Sequence, residues 1–124
     1  MHKGERPHEM TEPAIDLPTF EALQQTTGAE FVVELVDTFL AEAPLMLDEL
    51  RQSITAQSAD RFRRAAHSLK SNSNTFGALA MGRMAKALEL GALPAADGAS
   101  AQALDALSAE FARVTAALRY LCHG

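Results

Sequence analysis

In LDALSAEFARVTAALRYL, residues 104–121, the apolar side chains Leu104, Leu107, Phe111, Val114, Leu118 and Leu121 recur at alternating steps of three and four. A strand, with its two-residue period, cannot produce that spacing, so it marks a helix burying one continuous stripe against its neighbours. It is the most regular pattern in the chain and sets a helical frame for the rest. Going back from it, Ala95–Ser100 reads as a short Ala/Gly/Asp linker. A helix starting near Ala78, with Leu79, Met84, Leu88 and Leu90 as its apolar residues, ends in the stop signals of Gly91–Pro94. Before it, Ser58 offers an N-cap and Asp60 a favourable first-turn charge for a helix that runs to Phe76 and stops at Gly77.

Thr27-Gly28-Ala29-Glu30 has capping-box spacing and predicts the start of a longer helix. Its apolar stripe is Val32, Val36, Phe39, Leu47, Leu50 and Ile54, and Pro44 within it predicts a kink or local break. A short helix of about two turns, capped by Thr19, is expected over Thr19–Thr26. Residues 1–14 lack apolar periodicity and read as a mobile leader with solvated His2 and His8. The expected architecture is all-α: an antiparallel four-helix bundle over residues 15–124, with a short additional helix at its N-terminal end.

Composition agrees with a single folded domain, since 48% of the 124 residues are hydrophobic and 22% charged, and Gly and Pro are few. The methionines read as core filler. No apolar run reaches the roughly 18 residues of a membrane span, and MHKGERPHEM lacks the apolar stretch of a signal peptide, so a cytoplasmic protein that does not bind membranes is expected. Cys122 is the single cysteine, which excludes an internal disulfide and a cysteine-based zinc site and leaves a free thiol. A net charge of -5 argues against phosphate-driven nucleic-acid binding. Bundles carry many unrelated functions, so a functional reading needs a site.

The helix from Ser58 to Phe76 supplies one. At about 100° per residue, Phe62, Ala65, Leu69, Ser73 and Phe76 cluster on the side opposite His67 and form its core face. Around His67 lie Asn74 at about 20°, Arg63 and Ser71 at about 40°, and Lys70 at about 60°, which puts the imidazole in the middle of the solvent face. This segment carries Arg61, Arg63, Arg64 and Lys70 against Asp60 alone, a basic stretch in an acidic protein. A basic face suits either an anionic partner or an anionic group carried on His67. Neutral imidazole is the main form of histidine near pH 7, and its free ring nitrogen can attack phosphorus. Lys70, one turn along, can offset charge as a phosphoryl group arrives, and Ser71, Asn72 and Asn74 add hydroxyl and amide groups. No glycine-rich nucleotide loop or kinase signature occurs, so the chain is expected to receive and pass on a phosphoryl group without starting the transfer from ATP.

Ala65-Ala66-His67-Ser68-Leu69-Lys70-Ser71, followed by Gly77-Ala78, resembles the signature of histidine-containing phosphotransfer (HPt) domains of bacterial multistep phosphorelays, roughly A-H-x-L-K-G with a further Gly-Ala. The likeness extends from about Asp16 to the end and includes the Phe-Leu-x-Glu-Ala-Pro run of Phe39–Pro44. It implies that His67 is the phosphoacceptor, that Lys70 assists, and that Glu89 falls where many members hydrogen-bond the imidazole through Gln or Glu. One departure is Ser71, where the family usually has glycine.

The resemblance implies a phosphocarrier with no autonomous kinase or phosphatase activity. The domain would take a phosphoryl group from the aspartate of one receiver domain and give it to another. The partners expected are receiver domains of response regulators or hybrid sensor kinases, docking on Arg63, Arg64, Ser71 and Asn74. No cofactor or metal is expected on this chain, magnesium belonging to the receiver, and the chain is expected to be a monomer. The alternative is a phosphorylation-independent helical adapter for the same receiver or kinase domains. A histidine metal site is disfavoured, because no His-x-x-x-His pair occurs and His67 has no carboxylate one turn away in sequence.

Overall fold

The computed structural model describes residues 12–91, 93 and 98–123. Five helices follow one another: α1, Leu17–Thr27; α2, Ala29–Thr55; α3, Ala59–Thr75; α4, Leu79–Leu90; and α5, Gly98–His123. Among the described residues there is no strand. Helices α2 to α5 form the bundle, each against the next, with α5 returning to α2. Short connections impose the antiparallel order. Helix α1 lies across α2 and α3.

The core follows the apolar stripes. All six stripe residues of α2 are buried, as are Phe62, Ala65, Leu69, Ser73 and Phe76 from the α3 segment. In α5, Leu104, Leu107, Val114 and Leu118 are buried, with Phe111 and Leu121 packed at the margin. Phe39 ties three elements together: its ring stacks on Phe76 at 5.0 Å between centroids and meets Phe111 edge-on at 6.1 Å.

Helix α4 departs from the expected pattern. Its buried residues are Met81, Gly82 and Ala85, whereas Leu79, Met84 and Leu88 are half-buried and Leu90 is exposed. The small residues sit innermost because α4 approaches α3 closely: a Cβ on Gly82 would collide with the Asn74 side-chain amide. This close face carries few large side chains, so the leucines mark the helix without marking its core.

The helix ends also differ from the sequence reading. Thr27 does not cap α2; it is the last residue of α1, and its hydroxyl donates to the Leu23 carbonyl at 2.9 Å. Gly28, with φ of 96°, makes the turn and serves as N-cap of α2 with no side-chain cap bond. Helix α1 is capped by Asp16, whose carboxylate accepts from the Thr19 N–H at 3.2 Å and the Thr19 hydroxyl at 2.6 Å, so Thr19 lies inside the helix. Helix α2 runs unbroken through Pro44, which is exposed between buried Ala43 and Leu47; burial of the turns on either side holds the segment helical. Ser58 does cap α3, accepting from the Arg61 N–H at 3.3 Å, and Gly91 closes α4. Helix α5 already includes Gly98 to Ser100, expected as linker.

Residues 12–14, expected within the leader, are attached to the bundle. Ala14 is buried beside Ile15, the Glu12 carbonyl accepts from Arg113 at 2.7 Å, and the Glu12 carboxylate pairs with Arg83. The remainder of that leader, with His2 and His8, lies outside the described residues. No helix among those described is long and apolar enough to cross a membrane.

Candidate functional site

His67 sits midway along α3, with Phe62, Ala65 and Leu69 buried on the far side of the helix. Its side chain is 58% exposed, matching the helical-wheel position. The neighbouring helix contributes Glu89, near the end of α4, whose side chain is only 15% exposed. One Glu89 oxygen, Oε2, lies 2.7 Å from Nδ1 of His67, and the other, Oε1, lies 2.7 Å from Nζ of Lys70. The carboxylate therefore bridges a ring nitrogen and an ammonium separated by one turn of α3. Lys70 is held in against the protein, its side chain 25% exposed.

Charge and hydrogen bonding both favour ionised Glu89. The Lys70 ammonium first, and the His67 contact second, hold its carboxyl below the usual carboxylate range despite partial desolvation. An ionised carboxylate can only accept, so the Nδ1 it touches must be the protonated nitrogen. In the neutral ring Nε2 is then the unprotonated nitrogen, and no hydrogen-bond partner for it occurs among the described residues. A nucleophilic lone pair on a half-exposed ring, with a cation three residues along, can accept an electrophilic phosphoryl group.

The surrounding face is less positive than α3 alone suggests. Arg63 and Arg64 share Asp60, at 2.5 and 3.0 Å. Arg61 makes a two-pronged pair with Glu49 of α2, both contacts at 2.8 Å, which holds the Glu49 carboxyl below its usual range. Lys70 is matched by Glu89. Summing charge along one helix missed the acids arriving from α2 and α4. Ser71 and Asn74 are exposed on the His67 side, and the Asn74 amide rests against the backbone of α4 at Gly82.

A groove of about 490 Å³ runs between α2 and α3 on the flank of His67 opposite Glu89. Leu45, Met46 and Ala65 give it apolar surface, and Arg64 and Ser68 line it beside the histidine. Leu45 is 69% exposed, an apolar side chain offered to solvent next to the site. Its position outside the α2 core stripe, directly after Pro44, was the available sequence signal, and stripe-reading passes over such a residue. Among the described residues no cluster of three His, Cys, Asp or Glu side chains could hold a metal ion.

The family described as Hpt domain matches residues 34–119. No curated protein matches the chain. Among solved structures, the chain resembles the crystal structure of histidine-containing phosphotransfer protein B from Pseudomonas aeruginosa PAO1, with a TM-score of 0.78 and 27% sequence identity over 90% of this chain and 96% of that one.

Proposed function

The chain belongs to the Hpt domain family of histidine phosphotransfer proteins, which serve phosphorelay signalling, and we propose that Nε2 of His67 is its phosphoryl acceptor. The observation carrying this assignment is the 2.7 Å contact between Nδ1 of His67 and Glu89, which occupies one ring nitrogen and leaves the other free on an exposed face. In the reading we favour, Nε2 attacks the phosphorus of a receiver's aspartyl phosphate, and the group later moves to the aspartate of a second receiver. This domain supplies the nucleophile and one cation. The acidic pocket and its magnesium belong to the receiver, so the chain works as a phosphocarrier with no kinase or phosphatase activity of its own.

A receiver reaches its partner through a recessed phosphoacceptor, so the partner must present a protruding nucleophile with small neighbours and some apolar surface. His67 with Ser71 beside it, and the Leu45–Met46–Ala65 groove on its flank, have that form. Arg63 and Arg64 add exposed guanidinium groups at the rim, and Asn74 adds an amide. The test is incubation with a phosphorylated receiver, following acid-labile, base-stable phosphate. His67→Gln must lose the label; an adapter that does not use the histidine would bind the receiver and never acquire it.

A further inference from the structure

Uptake of a phosphoryl group changes the charge of the site. The O–P bond of the receiver's aspartyl phosphate breaks, its electron pair stays on the receiver carboxylate, and the Nε2 lone pair forms the N–P bond. What arrives is a PO3 unit bearing a single negative charge. Before it arrives the site is balanced, because the neutral ring stands beside Glu89 and Lys70, an anion and a cation in contact at 2.7 Å. The phosphorylated site is left with one unmatched negative charge, which a further cation within reach would offset.

Nearly all the cations of α3 and α4 are spent on acids. Arg63 and Arg64 share Asp60, Arg61 is held by Glu49, Lys70 by Glu89, and Arg83 by Glu12. Lys86 is the exception: it is exposed and makes no ion pair or hydrogen bond among the described residues. The acid within one turn of it on α4 is Glu89, whose two oxygens already serve His67 and Lys70.

The pairing of the two helices brings Lys86 to the ring. Asn74, seven residues after His67, rests on Gly82, seven before Glu89, so α3 and α4 run antiparallel with Lys86 level with Lys70. At about 100° per residue, Lys86 stands about 40° round α4 from Gly82 and about 60° from Glu89, with exposed Arg83 and Leu90 further round. It therefore marks the solvent edge of the face that meets α3, about 4.5 Å along the axis from Glu89. Its flexible four-carbon stem can carry the ammonium across the Glu89–Lys70 contact toward a group on the exposed ring. We propose that Lys86 is a second phosphoryl-binding cation, contributed by α4, which meets the oxygens of the group on Nε2 of His67 and holds the phosphorylated form. The inference rests on His67 being the acceptor and adds a residue that lies outside the α3 motif.

The experiment uses the full chain and a receiver domain, charged with acetyl phosphate, that labels the wild type. The equilibrium of phosphate between the two proteins is measured from both directions, because it reports the stability of the phosphorylated form independently of how tightly the receiver docks. Lys86→Gln should shift it about two- to fivefold toward the receiver at low salt, the order of effect of an exposed charge pair. The shift should vanish at about 1 M salt, where charges are screened within about 3 Å. Lys86→Arg, which keeps the charge, should hold the wild-type equilibrium. Arg119→Gln removes the same charge from α5, a helix that does not touch α3, and should leave the equilibrium unmoved. An unshifted equilibrium in Lys86→Gln overturns the proposal while leaving His67 as acceptor, as does an equal shift in Arg119→Gln or Lys86→Arg. A Lys86→Gln protein with a raised KM for the receiver and the wild-type equilibrium overturns it too, and makes Lys86 a contact of the receiver alone. Wild type that takes no label removes the acceptor reading and the proposal together.

Discussion

At the scale of single residues, Glu89 gives Lys70 a defined task. The ammonium is already paired in the resting protein, so it needs no long reorganisation to reach a phosphoryl group on the adjacent ring, and it adds one charge-assisted contact to the transition state. Lys70→Ala should therefore slow phosphoryl acceptance by about 10- to 100-fold, corresponding to a loss of roughly 1 to 3 kcal/mol, without abolishing it. Single-turnover transfer from a labelled receiver measures this. An unchanged rate would reduce Lys70 to a partner of Glu89 only. His67 and Lys70 were readable from the sequence because helical periodicity alone puts both on the solvent side of α3. Glu89 was reachable only through the family resemblance, since nothing local in Ala87-Leu88-Glu89-Leu90 says that this acid faces a histidine 22 positions earlier.

At the scale of elements, periodicity worked where large apolar side chains make the contact and failed where small ones do. The stripes of α2 and α5 announce their buried faces, but α4 buries Gly82 and Ala85, residues no hydrophobicity pattern singles out. Caps misled for a related reason: Thr27 has the right spacing to cap α2, yet the preceding helix already claims it. Gly77 is the more consequential terminus. It ends the α3 segment at φ of 86°, its carbonyl accepts from the Asp16 N–H at 2.7 Å, and a Cβ there would meet the Asp16 carbonyl oxygen at 2.8 Å. Both the left-handed conformation and a backbone clash oppose a side chain, so Gly77→Ala should destabilise the fold by about 2 kcal/mol or more. The midpoint of urea unfolding reports it, and an unshifted midpoint would show that the junction of α1 with the α3–α4 turn is not a tight packing site.

At the scale of the whole molecule, electrostatics and docking share one face. Glu49 and Glu89 are both held below the usual carboxylate range by cations on α3, and so bind fewer protons folded than unfolded in that range. Their stabilisation is present above the unfolded carboxylate range and disappears as pH falls through the lower folded values. Thermal midpoints should fall on acidification below that range, and Glu49→Gln together with Glu89→Gln should flatten the fall; an unaltered acid limb in the double variant would contradict the assignment. Periodicity along α3 shows neither pair, because Glu49 and Glu89 come from other helices; the resemblance placed Glu89 beside the imidazole, and nothing placed Glu49 beside Arg61. Docking depends on the space beside the imidazole, where Ser71 stands one turn away. Ser71→Trp should leave helicity intact because Ser71 is exposed, while blocking transfer sterically; transfer at the parent rate would move the docking face elsewhere. The account turns on one atom, Nε2 of His67, and the most direct measurement is where phosphate resides after exposure to a phosphorylated receiver. Mass spectrometry with nitrogen NMR should place it on Nε2 of His67 and find none in a folded His67→Gln protein, whose stability should stay within about 0.5 kcal/mol of wild type because the side chain is outside the core. Phosphate on another residue, or retained by His67→Gln, would contradict the account.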